Sequence, residues 1–302
     1  MKTLEITPKE YVKKAIEPKK FDANVIDYYD DAGPDYEAWS KAYNMHFGYY
    51  KWGMNPFNRE AMLNKMTEQV YGKLGLDKNN KNIIADFGCG VGTSLRHMVK
   101  KYKRSYLYGI TIVLTQILKG NRLTKKQGVN NRVFMWQFDY ANTPFMSNSV
   151  DGVVAIESSC YAEGKDKAPV LNEMYRVLKP GHSVAIADCF VKQNDMSKNL
   201  KRLYKRICKG WAVEDFAHLE EFVSHMNTIG FKNIKIEEVS WRIAPSVMHV
   251  PWVSLKFLLK QLFEKNNPMN KHRWNNVISP LLSILLGMHR KTIGYYLISA
   301  KK

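Results

Sequence analysis

The feature that most constrains this chain is a strand–loop–helix signature. Asn82 to Phe87 is an apolar run the length of a buried strand, it ends at Gly88, and Thr93 to Tyr102 reads as a helix. The joint is Asp86-Phe87-Gly88-Cys89-Gly90-Val91-Gly92-Thr93. Alternating glycines let the backbone turn tightly and bring no Cβ against a ligand. The helix start adds free N–H donors. An open α/β sheet binds ligands beyond the carboxyl ends of its strands, so this loop is expected to hold a nucleotide-like ligand.

The alternation continues. Tyr106–Ile110 reads as a strand, Val113–Gln127 as a helix, and Arg132–Phe138 and Asp151–Ile156 as strands. Asp166–Leu178 reads as a helix that stops at Pro180-Gly181, followed by a strand over Ser183–Cys189. Strands separated by helices imply a parallel sheet covered on both faces. Further on, Leu219–Ile229 is expected to be a helix ending at Gly230. Asn233–Arg242 alternates as a strand burying Ile234, Ile236, Val239 and Trp241 on one face. Val253–Phe263 and Trp274–Leu286 read as helices, and Ile293–Ala300 as a closing strand. Residues 1–80 stand outside the alternation, are rich in aromatics, and read as a helical lid on the ligand edge. The core is then 81–302, with a substrate-covering insert at about 196–290.

At 45% hydrophobic residues the chain can fill a core. Its four cysteines, Cys89, Cys160, Cys189 and Cys208, match neither zinc spacing nor a disulfide framework, which favours reduced thiols and a cytoplasmic setting. No cluster has metal-ligand spacing, so no metal is expected unless a diphosphate substrate brings one. The opening MKTLEITPKEYVKK has no apolar core of a secretory signal. The longest apolar run, Val277–Gly287, is broken by Pro280 and is far short of the roughly 20 residues of a spanning helix. It could still touch a membrane surface. The net charge is +18, with ten Lys or Arg and no acid between Phe87 and Phe138, and seven bases against Asp195 alone between Lys192 and Lys209. Such a surface suits RNA, an anionic membrane, an acidic substrate such as a diphosphate, or simply water. No nucleic-acid-binding module accompanies it, so no nucleic acid is expected.

The glycine spacing differs from the G-x-G-x-x-G of nicotinamide sites and resembles motif I of class I methyltransferases, DxGxGxG. The resemblance implies a Rossmann-like sheet of seven mostly parallel strands with a helical N-terminal lid and a C-terminal helical insert. It also implies S-adenosyl-L-methionine as cofactor, with Asp86 near the methionine amino group and Gly88, Gly90 and Gly92 admitting the rest. Phe138-Asp139 resembles the adenine-side stretch, and Arg176-Val-Leu-Lys-Pro180-Gly181 the "RVLKPGG" turn, with His182 in place of the second glycine. In place of a ribose-binding acid, Gly109-Ile110-Thr111 and Gln116 resemble the variant found in cyclopropane-forming and sterol-type enzymes, which implies cofactor contacts for Thr111 and Gln116.

Tyr28-Tyr29-Asp30 and His46-Phe47-Gly48-Tyr49-Tyr50 resemble the N-terminal motifs of sterol, tocopherol and cyclopropane-type methyltransferases, which fold over the cofactor. Tyr29 is thereby expected at the cofactor, and Tyr49 and Tyr50 at the substrate. Ile156 closes the fourth strand on the cofactor side. Glu157-Ser158-Ser159-Cys160-Tyr161 resembles the "E-S-T-M-Y" of geranyl diphosphate C-methyltransferase. Many members carry His where Tyr161 stands, which leaves Glu157 as the favoured catalytic residue, with Tyr161 and His46 beside it. Trp241 to Ser246 resembles a tocopherol-type segment and places Trp241 at the substrate.

If the acceptor is a C=C bond, methyl addition leaves a carbocation that aromatic faces and a carboxylate can stabilise, and the carboxylate can then take a proton. The implied activity is therefore C-methylation of a lipophilic, isoprenoid-type small molecule. Two alternatives stand beside it: N- or O-methylation of a phenolic, quinone or alkaloid-like acceptor, and a non-catalytic protein of the same fold that binds RNA or membrane.

Overall fold

A computed structural model describes residues 22–193, 195–264 and 268–302. The opening segment read above for a signal, and residues 1–21 of the expected lid, lie outside the described residues. The strands are β1 (Ile83–Phe87), β2 (Tyr106–Thr111), β3 (Val133–Gln137), β4 (Val150–Ile156), β5 (Leu178–Val191), β6 (Ala217–His218), β7 (Lys232–Glu238) and β8 (Ile293–Lys301). They form one sheet in the order β3-β2-β1-β4-β5-β8-β7, with the two-residue β6 paired to β5. The β1–β5 pairings and β5–β6 are parallel, while β8 runs antiparallel between β5 and β7. This is the expected mostly parallel sheet of seven long strands, plus one short addition.

The helices are α1 (Ala23–Ala32), α2 (Tyr36–Trp39), α3 (Arg59–Gly72), α4 (Thr93–Met98), α5 (Leu114–Lys126), α6 (Ala168–Val177), α7 (Lys198–Gly210), α8 (Leu219–Thr228), α9 (Ser240–Val247), α10 (Val250–Gln261) and α11 (Lys271–Gly287). Successive strand residues point to opposite faces, and both faces are apolar. Ile83, Ala85 and Phe87 of β1 join one core layer with Leu171 and Met174 of α6 and Phe222 of α8. Ile84 joins the other with Met66 and Val70 of α3 and Leu95 of α4. Residues 59–72, expected within the lid, therefore form part of the sheet's own covering, and the helices that overhang its ligand edge are α1 and α2. Those two are fastened to α11: Arg273 is buried and donates from Nε and Nη2 to the two Asp35 carboxylate oxygens (2.9 and 2.8 Å), and Tyr28 Oη donates to Asn276 Oδ1 (3.1 Å).

Two local expectations need correction. The alternation over Asn233–Arg242 holds only in part: Val239 is buried and Ile234 half-buried, but Ile236 and Trp241 are exposed, and the residues of the edge strand β7 are mostly exposed. The strand also ends at Glu238, so Trp241 falls in α9. The strand expected from Ser183 begins at Leu178, because the Pro180-Gly181 turn is absorbed as a register shift opposite Val150–Gly152, with Gly181 at φ +79°. Among the described residues no helix is long and apolar enough to cross a membrane.

Candidate active site

The chain leaves β1 outward through β2 in one direction and returns to β4 on the other side, so β1 and β4 flank the switch point where open α/β sheets bind ligands. A cavity of about 410 Å³ opens there. Asp86 lines it from the end of β1, buried and accepting a hydrogen bond from the Ser94 hydroxyl; burial pushes its carboxyl up to about 7. Gly88 (φ +83°) and Gly90 (φ +54°) line the cavity in the left-handed region that favours glycine. A Cβ on Gly88 would stand 2.2 Å from Ser158 Cβ. Gly92 (φ +72°) does not line the cavity: it caps α4, where a Cβ would meet Met135 Sδ at 2.8 Å, so its role is packing.

Thr111 and Gln116 are both buried in the cavity wall, and Thr111 Oγ1 donates to Gln116 Oε1 (2.8 Å). Asp139, Ile156 and Tyr29 line it too. Phe138 does not; its ring packs on the core layer below. The stretch before α3 crosses over this site, held where Thr93 Oγ1 donates to Ala42 O (2.7 Å) and Gly48 N–H to Ser246 Oγ (2.8 Å).

A second cavity of about 110 Å³ adjoins the first. The two share Tyr29, Asn44, Met45, His46, Glu157 and Tyr161 in their walls. Glu157 sits directly after β4 at φ +49°, a conformation uncommon for a non-glycine residue, and its N–H donates to Ala187 O (2.8 Å). Its Oε1 accepts from Phe47 N–H and from Tyr295 Oη, each at 2.7 Å. Burial pushes this carboxyl up to about 8 even though both hydrogen bonds pull the other way.

His46 is half-buried, and desolvation pushes it down to about 4, so the ring is neutral. Its Nδ1 lies 2.9 Å from the Phe47 carbonyl and so carries the proton, which leaves Nε2 to accept from Thr67 Oγ1 (3.4 Å). Tyr161 Oη donates to Trp211 O (3.1 Å) and lies 2.9 Å from Tyr29 Oη. Its proton is committed to a carbonyl, and burial raises its pKa well above the ordinary tyrosine value. Of the three expected catalytic side chains, Glu157 has the protonation chemistry of a base near neutral pH.

Three expected substrate contacts line neither cavity. Trp241 is 78% exposed and lies beside Arg290, because it rides on α9. Tyr49 packs on the core layer under α3 and against Arg242, and the Tyr50 ring faces Trp52. The sequence reading missed other wall residues. Tyr36, Trp39 and Tyr295 add aromatic faces to the second cavity. Four buried donors of that wall, Trp39 Nε1, Asn44 Nδ2, Arg59 Nε and Asn276 Nδ2, have no hydrogen-bond partner among the described residues. Unmet buried donors cost about 1–3 kcal/mol each, so this wall is suited to acceptor oxygens.

Residues 84–181 match the family described as "Methyltransferase domain". The chain is a methyltransferase that uses S-adenosylmethionine. This methyltransferase is 26% identical over 260 residues to "Methyltransferase GfsG" of Streptomyces halstedii, across 85% of its own length and 90% of the relative's. It is 27% identical over 239 residues to "Probable tocopherol O-methyltransferase, chloroplastic" of Oryza sativa subsp. japonica, across 76% of its own length and 65% of that relative. Its fold matches a geranyl diphosphate C-methyltransferase from Streptomyces coelicolor A3(2), solved with Mg2+, geranyl-S-thiolodiphosphate and S-adenosyl-L-homocysteine (TM-score 0.69, 15% identity, 94% and 99% of the two chains). The first cavity of the methyltransferase fits its cofactor. Gly90 leaves its Cβ position open to all but Met45 Sδ at 3.3 Å, and Asp86 supplies an acid where an ammonium group can be met.

Proposed function

We propose that the protein methylates a lipophilic, isoprenoid-type small molecule at carbon. The observation that carries this reading is Glu157: a partly buried carboxyl with high proton affinity, in the same cavity wall as the buried Asp188, at the junction of a cofactor-sized cavity and an aromatic-walled one. Asp86, Gly88, Gly90, Thr111, Gln116, Asp139, Ile156 and Tyr29 would hold the cofactor. S-adenosylmethionine supplies an electrophilic methyl on a positively charged sulfur, a charge that favours the ionised form of a carboxyl in the same cavity.

The chain's own residues do the rest. Aromatic rings of Tyr29, Tyr36 and Tyr161 flank the space beside Glu157 and can face a carbocation formed when a C=C bond takes the methyl. The ionised Glu157 stabilises that cation and removes a proton from the adjacent carbon, restoring a double bond. Phe47 N–H and Tyr295 Oη hold Oε1, and Oε2 has no hydrogen-bond partner among the described residues. A peripheral membrane contact fits an acceptor of this kind.

A second reading, O-methylation of a phenolic or quinol acceptor, is favoured by the four unmet donors of the second cavity and by the tocopherol-type relative. The test is turnover of labelled S-adenosylmethionine with prenyl diphosphates, sterols, tocopherols and quinols, followed by NMR of the product. A new methyl on an alkene carbon supports the proposal, and a new methyl on oxygen replaces it with the second reading.

A further inference from the structure

Helix α10 has two unlike faces. Val250, Ser254 and Phe257 are buried, and Val250 reaches the wall of the second cavity. The opposite face carries Trp252, Leu255 and Leu259 to solvent and runs on into Leu262 (75% exposed) and Phe263 (86% exposed). The loop before α3 joins it. His249, the residue before α10, places Nε2 2.8 Å from the Pro56 carbonyl, beside Phe57 (85% exposed), and the same loop carries Trp52 (83% exposed). Large side chains at that exposure, grouped in one region, mark an interaction surface rather than scattered surface apolarity.

The charge of this region is predominantly basic, with one acid at its edge, Glu264, paired to Lys260 at 3.5 Å. Residues 48–58 and 240–263 contain no Asp or Glu and carry Lys51, Arg242, Lys256 and Lys260. Lys256 Nζ lies 4.8 Å from the Trp252 ring centre, an arrangement in which the ring can enter an interface while the ammonium stays at headgroup level. Aromatic and aliphatic side chains interleaved with lysines on one helix face are the composition of helices that lie in the plane of a bilayer surface. A protein partner of acidic character would meet the lysines but leave the row of Leu and Phe without a reason.

We infer that α10 and the loop around Trp52 and Phe57 dock the protein on a bilayer bearing anionic headgroups. Docking stands on this surface alone. Its use rests on the lipophilic-acceptor reading: Val250, at the start of α10, lies in the wall of the second cavity, so docking through α10 would bring that cavity near acceptors dissolved in the bilayer.

The test is co-sedimentation of the full chain with vesicles of phosphatidylcholine, and of phosphatidylcholine with phosphatidylglycerol, at low and high salt. The expected result is binding to the anionic vesicles that weakens with salt. Binding should fall roughly tenfold or more in Trp252→Ser/Phe263→Ser and in Lys256→Glu/Lys260→Glu. The control Lys201→Glu/Lys205→Glu, on the exposed face of α7, should keep it. Cofactor affinity by calorimetry reports whether each variant is folded and is independent of the acceptor's identity. The proposal is overturned if neither vesicle binds, if the α7 change and not the α10 changes abolishes binding, or if ultracentrifugation shows a dimer that Trp252→Ser dissolves. If vesicles bind as expected but no lipophilic acceptor is methylated, the docking stands and the substrate reading fails.

Discussion

Tyr295 and Glu157 lie 138 residues apart in the chain and meet through a 2.7 Å hydrogen bond from the phenol Oη–H to Oε1. That bond favours the ionised carboxyl, so removing it in Tyr295→Phe should raise the Glu157 pKa further above about 8. If ionised Glu157 is the base, the acidic limb of the pH–rate profile moves to higher pH. Turnover near neutrality then falls about tenfold for each unit of movement. A lower plateau with an unmoved limb would mean that Tyr295 only packs the site.

Glu157→Gln keeps the size of the side chain and loses the base. Turnover should drop by roughly 10²–10⁴, with cofactor affinity by calorimetry little changed. Full activity in this variant would remove Glu157 from the chemistry.

The same substitution has a signature in stability. The folded-state pKa of Glu157, about 8, lies above its ordinary 4.5. The native state therefore holds the proton more tightly, and that contribution is complete below 4.5 and lost as pH rises through 8. The glutamine has no such dependence. The melting temperature of Glu157→Gln relative to the wild type should thus increase across this window, measured by calorimetry without cofactor.

Gly90→Val puts a β-branched residue at φ +54° and its side chain into the first cavity. Cofactor affinity should fall by tenfold or more, about 1.4 kcal/mol. Unchanged affinity would argue against this loop as the cofactor seat. Gly88→Ala should instead be read in stability, at about 1–3 kcal/mol, because its Cβ strikes Ser158.

Asp35→Ala leaves the buried Arg273 without its carboxylate. Breaking such a pair costs about 3–5 kcal/mol. The loss should show as a lower melting temperature and as faster amide exchange in α1 and α2 than in β1 or β4.

The parts legible in the sequence are those whose signal is local. The β1 loop announces itself by an apolar run, an acid and three glycines, and Glu157 by following directly on Ile156 at a strand end. Tyr295 was not legible. The alternation in Gly294-Tyr295-Tyr296-Leu297 shows a strand, but which tyrosine meets the site depends on β8 entering between β5 and β7, a pairing settled by distant strands. Trp241 was misplaced because the period changes within a few residues: the strand stops at Glu238 and α9 starts at Ser240, turning an apparent strand face into a helix face on the surface. Arg59 carried no signal beyond the helical spacing of Met62, Met66 and Val70, which is that of any packed helix.

The place of β8 in the sheet also sets an order of events during synthesis. It pairs with β5 along nine residues and is the only strand beside β7 among the described residues. Until Ile293–Lys301 has emerged from the ribosome, β5 has an open edge, β7 has nowhere to dock, and Glu157 lacks the phenol that holds it. The nascent chain can collapse around β1–β5 early, yet the site gains Tyr295 only when β8 adds to the open edge of β5 and gives β7 a place to dock.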